Sequence, residues 1–296
     1  MRVEELIIYG KSHAHSDLVK MLLGDLLDLN PLELLNHLND YVSEEKVEIF
    51  KKEMEALKQG KPIQYVLGNV NFYGNKFIIN ENVLIPRFET EELVENTIRY
   101  INEVFNGKAR VLDIGCGSGV IGLTIKEKLP ECEVDLIDIS LDALKVTEEN
   151  AKNLGLDVNI YESDLFSNIK DKYDVIISNP PYIRDDEEIQ EIVKNNEPSL
   201  ALYGGVDGLD YYRRILTDVS KYLNPKALIA FEIGYLQKDA IINLANKKLE
   251  NIIIEAKKDL SDKDRMIFIL KRWIKIKIKN HYYIERWFLY WKNYLY

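Results

Sequence analysis

Apolar residues recur at helical spacing through the first 58 positions. Val3, Leu6 and Ile7 open one face, and Leu18, Met21 and Leu22 form a second. Leu32, Leu35 and Leu38 follow a helix start at Asn30-Pro31, and Val47, Phe50, Met54 and Leu57 line a last face that Gly60 ends. This spacing predicts a helical bundle over residues 1–58. Over 59–86, short apolar runs alternate with Gly and Asn turn signals, which predicts a β-hairpin or two linking to the next domain. Thr90, with Glu91 and Glu92 behind it, reads as a helix N-cap. From 110 onward, strand patterns at 110–115, 134–140, 158–164, 173–178, 227–234, 251–256 and 265–271 alternate with helical ones at 119–129, 141–154 and 235–248. The expectation for 87–272 is an α/β domain: a mostly parallel sheet with helices on both faces, ligands lying at the C-terminal ends of its strands.

Composition narrows the class. The 296 residues are 46% hydrophobic and 30% charged, which suits a folded core rather than a disordered chain. No apolar run approaches the roughly 18 residues of a membrane span, and the N-terminus carries acids where a secretory leader would be basic. Two cysteines, Cys116 and Cys132, make no disulfide framework or zinc-like cluster, so no metal and a cytoplasmic location are expected. The net charge of −10 is uneven. Residues 271–296 hold seven basic residues against Glu285 alone, leaving 32 basic and 48 acidic residues before them. So acidic a body argues against a nucleic-acid substrate. The tail over 273–296 contains an alternating Ile-Lys run and all three tryptophans. It reads as a dispensable extension or as an interfacial or RNA-touching arm.

Two segments carry chemistry. In Val111–Gly119, VLDIGCGSG, glycines at 115, 117 and 119 let a loop approach a ligand with no Cβ in the way. Asp113 at the strand end can receive an ammonium group. Asp138, nineteen residues beyond Gly119, ends the next strand, where a carboxylate accepts hydrogen bonds from ribose hydroxyls. Gly117-x-Gly119-x-x-Gly122 matches the dinucleotide fingerprint and so admits NAD. Asp113 and Gly115 fit S-adenosylmethionine (SAM) better, since its methionine ammonium calls for an acid and it has no pyrophosphate. The loop alone leaves both open, along with a simple turn.

The second segment, after the strand pattern Tyr173–Ser178, is Asn179-Pro180-Pro181-Tyr182. The Asn179 side-chain oxygen and the Pro180 carbonyl can accept both hydrogens of a planar –NH2 group, and Tyr182 offers a face to stack on. An amide nitrogen is a poor nucleophile because its lone pair is delocalised. Two acceptors can hold its N–H bonds and aim the lone pair at an electrophilic methyl, with the proton leaving afterwards. Four histidines, His13, His15, His37 and His281, pair with no strand-end acid and read as solvated or packed. Tyr203, Tyr211 and Tyr212 read as packing residues or as a lining of the loop after Tyr182.

The (D/N)PPY tetrapeptide resembles that of SAM-dependent methyltransferases acting on planar nitrogens. The chain to about residue 272 resembles the HemK/PrmC family, the peptide chain release factor N5-glutamine methyltransferases. The matching segments are Pro62–Gly68, Phe72–Gly74, Val83–Thr90, Asp113–Gly119, Ser178–Ile183, Glu197-Pro198, Gly205–Leu209, Phe231–Gly234 with Gln237, and Asp264-Arg265. The resemblance implies a class I methyltransferase fold, Rossmann-like, with a seven-stranded sheet whose last strand is antiparallel. It also implies an N-terminal helical domain that binds the substrate, a class I release factor whose GGQ-type loop carries the methylated glutamine. Carried over, the SAM site falls on Gly115, Cys116, Gly117, Ser118 and Gly119, with Asp113, Asp138, the pair Asp164 and Leu165, and Asn179. Asp164 would face the adenine amino group and Leu165 its ring, while the substrate glutamine would meet Asn179, Pro180, Pro181 and Tyr182. Phe88 and Cys116 depart from a usual proline and threonine, Leu165 stands where some members have an aromatic, and the basic tail is not part of the pattern. The sister activity on a ribosomal-protein glutamine, and more distantly adenine-N6 methylation, are the alternatives. A monomer is expected.

Overall fold

A computed structural model describes residues 1–271, so the tail over 273–296 lies outside the described residues. The chain opens with helices α1 (Val3–Lys11), α2 (Ser16–Leu27), α3 (Pro31–Asn36) and α4 (Glu44–Lys58). Asn30 caps α3 by accepting from the Leu32 and Glu33 amides, while Glu33 reaches back to the Asn30 amide. Two predicted faces are rotated. In α2 the buried residues are Val19, Leu22 and Leu23, and Met21 is exposed. The apolar face of this helix is wide, flanked by Asp17, Lys20 and Asp25, and Gly10 of α1 lets the Val19 side come closest. A Cβ there would lie 2.5 Å from Val19 Cγ1, so only glycine lets the helices approach this closely. In α3 Leu34 is buried while Leu32 and Leu35 face outward, since six residues are too few for periodicity to choose a side. Residues expected to form strand are instead helix α5 (Ile63–Leu67), ended by Gly68 at φ 71°. Ile63, Val66 and Leu67 pack on the same core as α1–α4, so that apolar unit runs past residue 58.

Strands β1 (Asn69–Phe72) and β2 (Asn75–Ile78) form the expected hairpin. Its tip, Tyr73-Gly74, has φ of 49° and 85°, as a type I′ turn requires. The α/β body follows: α6 (Phe88–Phe105), β3 (Arg110–Ile114), α7 (Val120–Lys128), β4 (Glu133–Asp138), α8 (Leu141–Leu154), β5 (Asn159–Glu162) and β6 (Tyr173–Ser178). Then come α9 (Glu191–Asn196), α10 (Asp210–Asp218), β7 (Leu223–Glu232), α11 (Lys238–Lys248), β8 (Ile252–Lys258) and β9 (Asp264–Lys271). Helix α6 starts two residues before Thr90, with Arg87 as N-cap, so Thr90 is inside the helix and its hydroxyl is free for another partner.

Seven strands stand in the order β5-β4-β3-β6-β7-β9-β8. The first five are parallel, and β9 runs antiparallel between β7 and β8. This is the Rossmann-like methyltransferase architecture with its antiparallel closing strand. Alternate strand residues feed two cores. Val111, Leu136, Val175 and Phe268 pack under α6, α7 and α8, while Leu112, Ile176, Ile229 and Ile267 pack under α10 and α11. The chain leaves β3 toward β4 on one side and later returns to β6 on the other. That reversal opens a crevice at the C-terminal ends of these strands.

Candidate active site

The crevice holds a cavity walled by the β3–α7 loop, the ends of β4 and β5, and the segment after β6. Gly115, Gly117 and Gly119 take φ of 70°, 57° and 80°, which side chains tolerate poorly. At Gly115 and Gly117 an added Cβ would meet nothing within 4 Å, so the loop exposes bare backbone there. The loop is tied down by two elements, the end of β4 and α8. Gly115 and Cys116 amides both donate to the Ile137 carbonyl at 2.9 Å, and the Gly117 amide donates to Asp138 Oδ2 at 2.9 Å. From α8, Thr147 donates to the Gly117 carbonyl at 2.8 Å, and Asn150 donates to the Ser118 carbonyl at 2.9 Å. Gly122 has a packing role: a Cβ would lie 2.8 Å from Leu136.

Asp138 lines the cavity with both oxygens engaged by backbone amides, Gly117 on one and Ser140 on the other. Burial pushes its carboxyl above the ordinary range against these hydrogen bonds. Asp113 is fully buried behind the loop and does not form the cavity wall. Its Oδ2 accepts the Gly122 amide at 2.9 Å, and its Oδ1 has no partner. Burial raises its pKa to about 7, with the Asp138 charge adding to the rise. Cys116 and Ser118 line the cavity, and burial drives the Cys116 thiol well up, away from thiolate chemistry. Asp164 and Leu165 form the far wall, Leu165 at φ 51°. Asp164 pairs with Arg214 of α10, whose Nη2 stands 2.7 Å from both carboxylate oxygens. The acceptor expected for an adenine amino group thus already has a cationic neighbour.

Asn179, Pro180 and Pro181 line the same cavity. The Asn179 amide donates to Thr90 Oγ1 at 3.4 Å, and Thr90 donates to Glu232 Oε2 at 2.7 Å. Tyr182 is placed differently from the stacking platform that was expected. Its ring leans toward Gly234 and the α10–α11 core, outside this cavity's wall, and burial raises its hydroxyl pKa to about 12. Gln237 holds its backbone, donating to the Tyr182 carbonyl at 2.9 Å and the Gly208 carbonyl at 3.1 Å.

A family model described as the PrmC N-terminal domain matches residues 10–68, and one described as the methyltransferase small domain matches 74–204. The release factor glutamine methyltransferase of Bacillus subtilis is 40% identical over 245 residues, covering 80% of this chain and 85% of that protein. The protein of the same name from Streptococcus pneumoniae is 38% identical over 269 residues, 90% of this chain and 94% of that one. The chain belongs to the release factor glutamine methyltransferase family. A crystal structure of a methyltransferase from Pyrococcus furiosus shares the fold, with a TM-score of 0.52, 15% identity, and coverage of 78% of this chain and all of that one. Within this family frame, the first domain match ends at Gly68, where α5 closes the helical unit.

Sequence reasoning overlooked several members of the site. Thr90 and Arg214 line the cavity, and Glu232 stands behind Thr90. Thr90 was read as a cap and Glu232 only as part of a matching segment. Their meeting spans 142 positions, which no local pattern reveals. Of the three tyrosines, Tyr211 lines the cavity, while Tyr212 is fully buried and donates to the Glu232 carbonyl at 2.8 Å. His37 pairs with Asp40 at the exposed end of α3, remote from the strand ends. Among the described residues, no cluster of three His, Cys, Asp or Glu side chains could hold a metal, and no helix is long and apolar enough to cross a membrane.

Proposed function

We propose that this chain transfers the methyl group of SAM to the side-chain amide nitrogen of a glutamine in a class I peptide chain release factor. The observation that carries this reading is the meeting of the glycine loop and the Asn179–Pro181 segment in one cavity. The residues present suit SAM. An unpaired, buried Asp113 oxygen lies behind a loop whose bare glycines leave room for a ligand. Asp113 would act on the methionine ammonium from behind the loop, Asp138 would hold the ribose, and Asp164 with Leu165 would frame the adenine. SAM supplies an electrophilic methyl on a positively charged sulfur.

The chain's own residues do the rest. Asn179 Oδ1 and the Pro180 carbonyl take the two hydrogens of the substrate amide and turn its nitrogen lone pair toward the methyl. Tyr182 contributes through the backbone that Gln237 holds, with its ring backing the segment. No strong base is required before attack, because the amide nitrogen sheds its proton once the new N–C bond has made it cationic. The helical unit would grip the release factor away from the glutamine, since one side chain offers far less area than the roughly 1,200–2,000 Å2 of an ordinary interface. The reaction belongs in the cytoplasm, where release factors work.

The direct test is incubation with labelled SAM and purified release factors, ribosomal proteins or DNA, with the modified residue mapped by mass spectrometry. Label on a release-factor glutamine is expected, and label on a ribosomal protein or on DNA alone overturns the reading. Asn179→Ala should lower single-turnover methylation by about a hundredfold or more while SAM binding by calorimetry stays near normal.

A further inference from the structure

Asn179 can do its work only if the correct end of its amide faces the substrate. Its oxygen accepts from the substrate –NH2, whereas its own –NH2 would set donor against donor. The amide has no intrinsic preference between these two orientations, so something must impose one. Behind it stand Thr90, 3.4 Å from Nδ2, and the buried carboxyl of Glu232, 2.7 Å from the Thr90 hydroxyl and facing the same amide. A threonine hydroxyl has one proton to give. An ionised Glu232 only accepts, so it takes that proton, and Thr90 can then only accept from Asn179. The –NH2 end is drawn inward and Oδ1 is left facing the cavity.

Resting on the function proposed above, we infer that Thr90 and ionised Glu232 form a one-way hydrogen-bond chain that sets which end of the Asn179 amide meets the substrate. Protonation of Glu232 releases the constraint. A neutral carboxyl can donate to Thr90, Thr90 can then donate to Asn179 Oδ1, and the amide can turn over. Glu232 is enclosed by several elements: Thr90 and Glu89 from α6, Asn179 and Tyr182 beyond β6, Tyr212 from α10 and Arg265 from β9. Burial raises its carboxyl pKa to about 7, with Glu89 adding to the rise, while the Thr90 and Asn179 hydrogen bonds and the Arg265 charge oppose it. The chain therefore switches direction near neutral pH. Thr90 and Glu232 are positioning residues, since neither needs to touch the reacting atoms.

Two readouts test the chain. In the full-length protein labelled with 15N-asparagine, the side-chain –NH2 signal of Asn179, assigned by its loss in Asn179→Ala, should titrate near pH 7. That titration should vanish in Glu232→Gln. With a release factor as substrate, wild-type kcat should fall as pH drops through about 7, and Glu232→Gln should lose this acid limb. Thr90→Val should lower kcat by about tenfold to a hundredfold with little change in KM or SAM affinity, and Thr90→Ser should recover most of the loss. An Asn179 signal insensitive to pH, a titration that persists in Glu232→Gln, or full kcat in Thr90→Val overturns the inference. If Glu232→Gln does not fold, the contrast between Thr90→Val and Thr90→Ser decides it. Failure of the wild-type protein to methylate a release factor overturns the proposed function instead, and the amide signal still judges the chain.

Discussion

Asp113 commits one carboxylate oxygen to the first turn of α7 and leaves the other without a partner in the protein interior. Burial holds its pKa near 7, so at neutral pH the free enzyme carries this group partly protonated. The raised value means that Asp113 stabilises the empty fold most below its unfolded, carboxylate-range pKa. That contribution is lost as pH rises through about 7. A cationic ligand has the opposite preference, since it favours the ionised form. SAM affinity measured by calorimetry should therefore rise with pH across this range, and binding should release protons from Asp113 to the buffer. Asp113→Asn should flatten the slope and weaken binding by roughly 1.5–3 kcal/mol. Affinity independent of pH in the wild type would show that Asp113 has no part in binding. That the glycine loop and Asn179-Pro180 stand at one cavity was legible in the sequence, because positive-φ glycines and a strand-end Asn-Pro travel with residue type and local pattern. Thr90, Glu232 and Arg214 were not, since each acts through a partner brought near only by the sheet.

Helix α8 holds the glycine loop in place. Buried Asn150 accepts the Ile78 amide at 2.7 Å and donates to the Ile78 and Ser118 carbonyls at 2.9 Å, so one side chain fastens both the hairpin and the loop. Asn150→Ala should orphan these buried groups and destabilise the protein by about 3 kcal/mol, with SAM binding weakened in the variant that remains folded. Urea unfolding and calorimetry measure the two effects, and an unchanged midpoint would mean that water replaces the amide. The alternating βα pattern was readable because strands buried on both faces form continuous apolar runs. Short helices and those with a wide apolar face were harder: α2 and α3 offered more than one plausible face, and α5 has only five residues. Helix α10 was not anticipated, although Tyr212, Ile215 and Leu216 have helical spacing, because its start follows directly on a glycine-rich turn.

At the scale of the molecule, an all-helical unit and an α/β body meet through the hairpin, where Lys76 reaches Asp25 at 2.9 Å and Tyr65 donates to the Val83 carbonyl at 2.6 Å. Along the sequence, the acidic excess lies before residue 271 and the basic excess from that residue on. The sheet has two non-sequential joins: β3 lies beside β6 at the crevice, and β9 lies between β7 and β8, so that among the described residues β8 forms the rim. Strand β9 supplies the buried Met266, Ile267, Phe268 and Ile269, and its Arg265 holds the Ile233 carbonyl beside Glu232. A chain stopped after Lys258 should therefore show no cooperative thermal transition by circular dichroism and should be digested rapidly by protease. A sharp melt would mean that six strands suffice. Order of synthesis and order across the sheet thus diverge in this protein. The strand that fills the interior leaves the ribosome after the strand at the rim, and a message cut short before codon 264 encodes every residue of the Asn179–Tyr182 segment without the strand that joins the rim to the sheet.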